Sequence, residues 1–296
     1  MASAQRGLFD WSLITWPGIQ TPSGFFVASI SWSVVFLLLW ATGVTVLKAV
    51  GYGPTIGSAK RGTWALKVVM LCHHTFISSA AVLAILEDPA LMATLRCGGF
   101  CLEPAQRLLR DTVRSASAEA LVPVTLGFMI ADLALMSQWS LCGGKKGVGD
   151  FLMFLHHIGA LIGWPPAVVP DLCTRYILVL LAFEISSVFL TINWFLSTAG
   201  LKSSRAYIVT GLIFTASFVL VRLLAAVPLV VALFTANPLG FTGETGLPHP
   251  HIFLILANIG LLFPHGLNFI WGYKVIQGCA AVVFASKASE AKKNSD

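Results

Sequence analysis

Apolar and polar positions fall in long blocks along this chain, not in the short alternations of an amphipathic helix or a half-buried strand. A helix that crosses a hydrocarbon core of about 30 Å needs about 20 mostly apolar residues. Seven blocks pass that test: Phe25–Leu47, Trp64–Leu86, Leu121–Leu141, Phe151–Val169, Tyr176–Leu196, Tyr207–Thr235 and Ile252–Trp271. The pattern predicts an all-α integral membrane bundle of about seven transmembrane helices. The sixth block is long and holds Pro228, which predicts a tilt, a kink or a short interfacial extension there. Trp64, Trp139, Trp164, Trp194 and Trp271 stand at or near block ends, where interfacial aromatics collect.

Composition agrees. Of 296 residues, 56% are hydrophobic and 11% charged, against roughly 25% charged in soluble domains. There is too little polar surface for a water-soluble globule of this size. The expected organisation is an N-terminal interfacial segment over residues 1–24, a seven-helix membrane domain over 25–275 and a polar tail over 276–296. The first segment does not read as a cleaved signal, because Asp10 interrupts its apolar stretch and Trp11 and Trp16 suit an interface.

Charge orients the bundle. Seven helices put Lys48, Lys60, Arg61, Lys145, Lys146, Lys202, Arg205, Lys274 and the lysines of the tail on one side, eleven basic residues against six on the other. The positive-inside rule then places the C-terminus in the cytoplasm and the N-terminus outside. The net charge of +6 is mainly this orientation signal. The basic residues are spread over several loops, so no nucleic-acid partner is expected. The endoplasmic reticulum or another endomembrane is the expected site; the mitochondrial inner membrane stays open, and the KKNSD terminus has its lysines one position off a retrieval signal. Cys97, Cys101 and Cys173 share the outer side, where a disulfide is permitted and free thiols are the alternative. Within the longest loop, Ala105–Ala120 reads as a short surface helix.

The informative positions are the polar ones inside the blocks. A charge near mid-bilayer costs roughly 2.5–3.5 kcal/mol and usually faces the bundle interior. Lys67, Asp132, Glu184 and Arg222 are four such charges, summing to zero. They read either as two internal ion pairs that fix packing or as the walls of a functional cavity. The second block carries His73 and His74, the fourth His156 and His157, the seventh His265. Adjacent helical residues point about 100° apart, so one histidine of each pair is expected to face a cavity and the other a neighbouring helix. Glu184, Ser187 and Thr191 share one helical face, with Asn193 displaced towards the inner end. Two polar layers are expected: His73 or His74 with Asp132, Glu184, Arg222 and His265, then His156 or His157 with Asn193 and Asn268.

Several chemistries fit poorly. A bis-histidine haem needs facing axial ligands at one depth, and the two pairs sit at different depths. A di-iron hydroxylase needs histidine clusters that are missing, and a retinal protein needs a lysine in the middle of the seventh helix. No resident cofactor or metal set is expected. Acyl transfer is compatible, with His156 or His157 as general base, Asp132 orienting it and an acyl-CoA as donor.

The order LCHHTFIS, LGFMIADLALM, FLHH, EISSVFLTINW, FVLVRLL and LNFIW resembles the TLC-domain family, over about Lys60 to Lys274. That family includes ceramide synthases, the translocating-chain-associated membrane protein and the ceroid-lipofuscinosis protein of the endoplasmic reticulum. The resemblance implies a lipid-handling protein in which Asp132, His156, His157, Glu184, Asn193 and Arg222 line a central cavity. In ceramide synthases a threonine follows the histidine pair by three residues and an aspartate pair comes later. Here the pair is followed by IGALIGWPPAVVPD, and Asp171 stands alone. The departures point to the non-ceramide-synthase branch and away from N-acylation of sphingoid bases. The implied partners are membrane lipids. The competing class is a non-enzymatic accessory subunit of a membrane-protein complex, or a trafficking receptor.

Overall fold

A computed structural model describes residues 9–51, 58–89, 91–92, 102–103, 106, 115–141, 148–169, 173–235 and 251–293. Seven helices are long and apolar enough to span a membrane: Pro22–Ala49, Arg61–Glu87, Ala116–Ser137, Phe151–Val168, Thr174–Thr198, Arg205–Thr235 and Ile255–Ala281. They are called here the first to seventh spans. Each predicted block holds one of them, and among the described residues there is no strand.

Local chemistry sets the ends. Thr21 caps the first span, its Oγ1 accepting the Gly24 N–H at 3.0 Å, with Pro22 in the first turn. Ser204 does the same for the sixth, accepting from Tyr207 N–H at 3.2 Å. The fifth span stops at Gly200, where φ is +79°. The Leu201 N–H returns to the Leu196 carbonyl at 2.9 Å, closing the last turn in a conformation that suits glycine.

Two spans break in mid-course. The fifth is interrupted at Phe183 and Glu184, between helices Thr174–Ala182 and Ile185–Thr198. The sixth loosens into a π-helix over Phe218–Leu224 before resuming at Ala226. Pro228 lies just beyond. It has no N–H to return to the Leu224 carbonyl, and the widened turn precedes that gap. The irregularity predicted for the sixth block is therefore a π-bulge. The seventh helix is longer than its apolar block, running His251–Lys293; from Ala280 on it is rich in Ala, Lys and Glu, which are good helix formers, and has no Gly or Pro to stop it.

The second, third, fourth, seventh, sixth and fifth spans pack in that order into a closed ring. The first span lies outside it, against the second and third. Its contact with the third is close: a Cβ on Gly127 would stand 2.5 Å from Trp32 Cβ and 2.7 Å from the Ser29 carbonyl oxygen. The hydroxyls of Ser29 and Ser33 are satisfied within the first helix. Towards the end of the bundle that carries the N-terminus, the ring is filled by Ile77, Leu121, Leu126, Tyr176, Ile177 and Leu181, all fully buried. Towards the C-terminal end it opens.

The N-terminal segment is tied to the ring. Asp10 caps a 3-10 turn over Trp11–Leu13, and the hydrogen bonds from Ser12 hold its carboxyl below the usual aspartate range. The Phe9 N–H and the Trp11 indole N–H both donate to the Glu87 carboxylate, at 3.0 and 3.1 Å. Trp16 is exposed. Of the predicted surface helix Ala105–Ala120, the described part from Ala116 is the first turn of the third span; most of the rest lies outside the described residues, as do Cys97, Cys101 and Asp171. Cys173 is a buried free thiol, and burial pushes it up to about 12.

The fourth and seventh spans cross glycine on glycine. A Cβ added to Gly163 would stand 2.1 Å from the Gly260 Cα, a backbone atom that cannot yield without moving the helix. Gly163→Ala should therefore cost about 1–3 kcal/mol by overpacking. Gly266→Ala, with nothing within 4 Å, should be neutral or slightly stabilising. Thermal unfolding of the detergent-purified variants checks the contrast; equal midpoints would contradict the close crossing.

Candidate functional site

Inside the ring lies a cavity of about 320 Å³. Its blind end is formed by Thr125, Trp164 and Leu180, and its walls carry Met70, Met129, Met153, Phe214 and Phe218. Lys67 and Lys274 line it near the C-terminal end of the bundle. Each stands about six residues, or roughly 9 Å of helix, from the polar centre on its own span.

That centre is built on Arg222, which the π-helix presents from the sixth span. Its Nε donates to Ser186 Oγ at 2.8 Å, its Nη2 to Ser187 Oγ at 2.9 Å, and its Nη1 approaches Asn268 Oδ1 at 3.4 Å. The Nη2 also pairs with Glu184 Oε1 at 2.9 Å. The other Glu184 oxygen accepts from Ser187 Oγ at 2.8 Å and lies 3.2 Å from His74 Nδ1. The break at Phe183–Glu184 and the π-turn at Arg222 thus face each other. Irregular backbone at membrane depth is tolerated where it lines a protein cavity.

A second group lies beside it. His157 Nδ1 is 3.5 Å from Asp132 Oδ2, joining the fourth span to the third. Lys67 is within electrostatic reach of Asp132, and its ammonium sits 5.8 Å from the Trp194 ring centre. His73 stacks on Phe128 with centroids 4.2 Å apart and meets the edge of Phe36. His156 meets Trp271 edge-on at 5.6 Å.

The structure changes the sequence expectations in four respects. Both members of each histidine pair line the cavity, not one of each, because the ring surrounds each span on more than one side. The two polar layers are one: Asn268 reaches Arg222, and His157 reaches Asp132. His265 is not among the lining residues; its Nε2 is 2.9 Å from the Tyr176 hydroxyl in the packed half of the ring. Asn193 also stands apart, accepting from Thr210 Oγ1 at 3.1 Å between the fifth and sixth spans. Of the four membrane charges, Glu184 and Arg222 form a direct pair, whereas Asp132 faces His157. Ser187 and Thr191 line the cavity as their spacing predicted. The sequence reading missed Ser186 and Phe128. Ser186, two residues past Glu184, falls off the Glu184–Ser187–Thr191 stripe by regular helical spacing, yet beside the break at Phe183–Glu184 it accepts from Arg222 Nε. Among the described residues no cluster suited to a metal ion occurs.

Comparison with known proteins bears on this site. A family model described as TLC domain matches residues 63–277. That interval takes in the six ring spans and leaves out the first. TLC domain-containing protein 4 of Homo sapiens is 22% identical over 241 residues, covering 79% of this chain and 81% of that protein.

Removing one partner of a buried ion pair strands the other charge, at about 3–5 kcal/mol. Arg222→Met should destabilise the purified protein by that order, and Glu184→Gln/Arg222→Met should recover most of the loss. Thermal unfolding in detergent checks this. A double variant no more stable than Arg222→Met alone would contradict a direct pairing.

Proposed function

The chain belongs to the TLC-domain family, and on that footing we propose that its cavity binds a lipid or acyl chain and transfers the acyl group with His157 as general base. The observation that carries the reading is the combination of an apolar blind pocket with a polar centre against its wall. Ligand pockets commonly measure about 300–1,000 Å³ and hold a few convergent polar groups in an apolar lining. A cavity of about 320 Å³ suits one chain better than a diacyl lipid.

The roles follow from position. Asp132 faces His157 Nδ1, which favours a proton on that nitrogen and leaves Nε2 as the base. His157 accepts the proton of the acyl acceptor as the acceptor attacks the thioester carbonyl. The new bond to the acyl carbon forms, the carbon–sulfur bond breaks, and the proton passes from His157 to the leaving thiolate. Lys67 and Lys274 sit where the phosphates of an acyl-CoA donor would meet the bundle end. By the positive-inside rule that end, which carries Lys48 and Lys202, faces the cytoplasm, the side on which acyl-CoA would be supplied. An endomembrane such as the endoplasmic reticulum is the fitting location.

The departure from the ceramide synthase sequence after FLHH favours a second reading, in which the cavity holds a lipid without turning it over, in an accessory or trafficking role. Turnover by purified protein separates the two. His157→Ala should lower acyl transfer about 10²–10⁴-fold, and Lys67→Gln/Lys274→Gln should raise KM for acyl-CoA more than it lowers kcat. Wild-type turnover in His157→Ala would end the catalytic reading. Purified protein that carries no stoichiometric lipid by mass spectrometry, and takes up none, would end the cavity reading.

A further inference from the structure

The polar centre is charge-balanced and still has unused hydrogen-bonding capacity, and this combination selects among ligands. Glu184 is compensated by Arg222, Ser187 and His74, and Asp132 by His157 with Lys67 in reach. No carboxylate is left to receive an ammonium group. Arg222 spends its Nε–H, both Nη2 hydrogens and one Nη1 hydrogen on Ser186, Ser187, Glu184 and Asn268, so a single Nη1 N–H remains and no two-pronged edge is left to pair with a carboxylate or phosphate at this depth.

The imidazoles are different. His73 is 3% exposed, and neither of its ring nitrogens has a hydrogen-bond partner among the described residues. Its face is taken by Phe128, which leaves the ring edge for in-plane bonding. Two places along the ring, on the fourth span, His156 Nδ1 is likewise buried without a partner among the described residues. Both residues line the cavity. A neutral imidazole carries one donor and one acceptor. A buried nitrogen left unpaired is costly, so a ligand group able to play both parts is strongly favoured beside it. A hydroxyl both donates and accepts. An ammonium only donates, and a carboxylate only accepts.

We infer that the deep polar site, lined by His73 and His156, takes the hydroxyl of a neutral single-chain lipid alcohol, and that this alcohol is the acyl acceptor. The inference rests on the proposed acyl-binding cavity and assigns its substrate class. Transfer would then give an ester: the alcohol oxygen bonds to the acyl carbon, its proton goes by way of His157 to the departing thiolate, and the thiol is released.

Binding tests the assignment apart from turnover. The full-length protein in nanodiscs is equilibrated with tritiated hexadecanol, protein-free nanodiscs being subtracted, and unlabelled hexadecanol, hexadecylamine and hexadecanoic acid compete at neutral pH. The expected result is saturable binding that hexadecanol displaces at least about tenfold better than the amine or the acid. His73→Phe keeps an aromatic ring against Phe128 and should weaken hexadecanol about tenfold, the effect of one hydrogen bond, without improving the other two. His73→Asn should restore part of it. An amine or acid that competes as well as the alcohol overturns the assignment while leaving the cavity reading intact. So does hexadecanol binding unchanged in His73→Phe. Absence of saturable binding with all three ligands overturns both.

Discussion

The ion pair between Glu184 and Arg222 governs the middle of this protein. Each charge alone would be expensive in a bilayer. Together, at 2.9 Å and with Ser186, Ser187 and Asn268 around them, they hold the fifth, sixth and seventh spans at one level. The backbone is shaped around the pair. The fifth helix breaks where Glu184 stands, and the sixth widens into a π-turn where Arg222 stands. A regular helix would turn these side chains elsewhere, and Pro228 supplies a local reason for the second distortion. The cavity lies where two helices give up regularity facing one another.

The rest of the ring is organised on two sides of that point. Towards the N-terminal end, large apolar side chains are fully buried and the Gly163–Gly260 crossing brings two backbones together. Towards the C-terminal end, thioethers and aromatics line space and do not close it. Methionines in such a wall adapt to chains of irregular shape. One half of the bundle thus supplies rigidity and the other supplies room, with the titratable groups on the boundary between them.

Much of this was legible in the sequence. The seven spans follow from apolar length, and the Glu184–Ser187–Thr191 face follows from helical spacing. The family order of LCHHTFIS, FLHH and FVLVRLL agreed with the TLC match over residues 63–277. Other features were not legible, for identifiable reasons. Depth counted from the ends of apolar blocks inherits the error in those ends: the third and fourth helices start at Ala116 and Val148, not at Leu121 and Phe151, so the sequence places His157 and Asp132 in different layers although they lie 3.5 Å apart. A histidine says nothing by itself about its partner: His265 looked like His74 in the sequence, but it bonds Tyr176 in the packed half. Lys274 read as an orientation charge because its place at the block end fitted that role, and only the ring brings it to the cavity with Lys67.

The connection between the fifth and sixth spans is short, running from Ala199 to the cap at Ser204, with Gly200 making the turn. The two helices it joins carry the two opposite charges. A helix entering a bilayer with an unpaired Glu184 or Arg222 would pay roughly 2.5–3.5 kcal/mol for it. Entering as a hairpin, the two spans neutralise each other before the remaining helices arrive. The residues that furnish the polar centre therefore also lower the cost of placing the two helices in lipid, and the tight link at Gly200 makes that neutralisation a local event between neighbours in the chain.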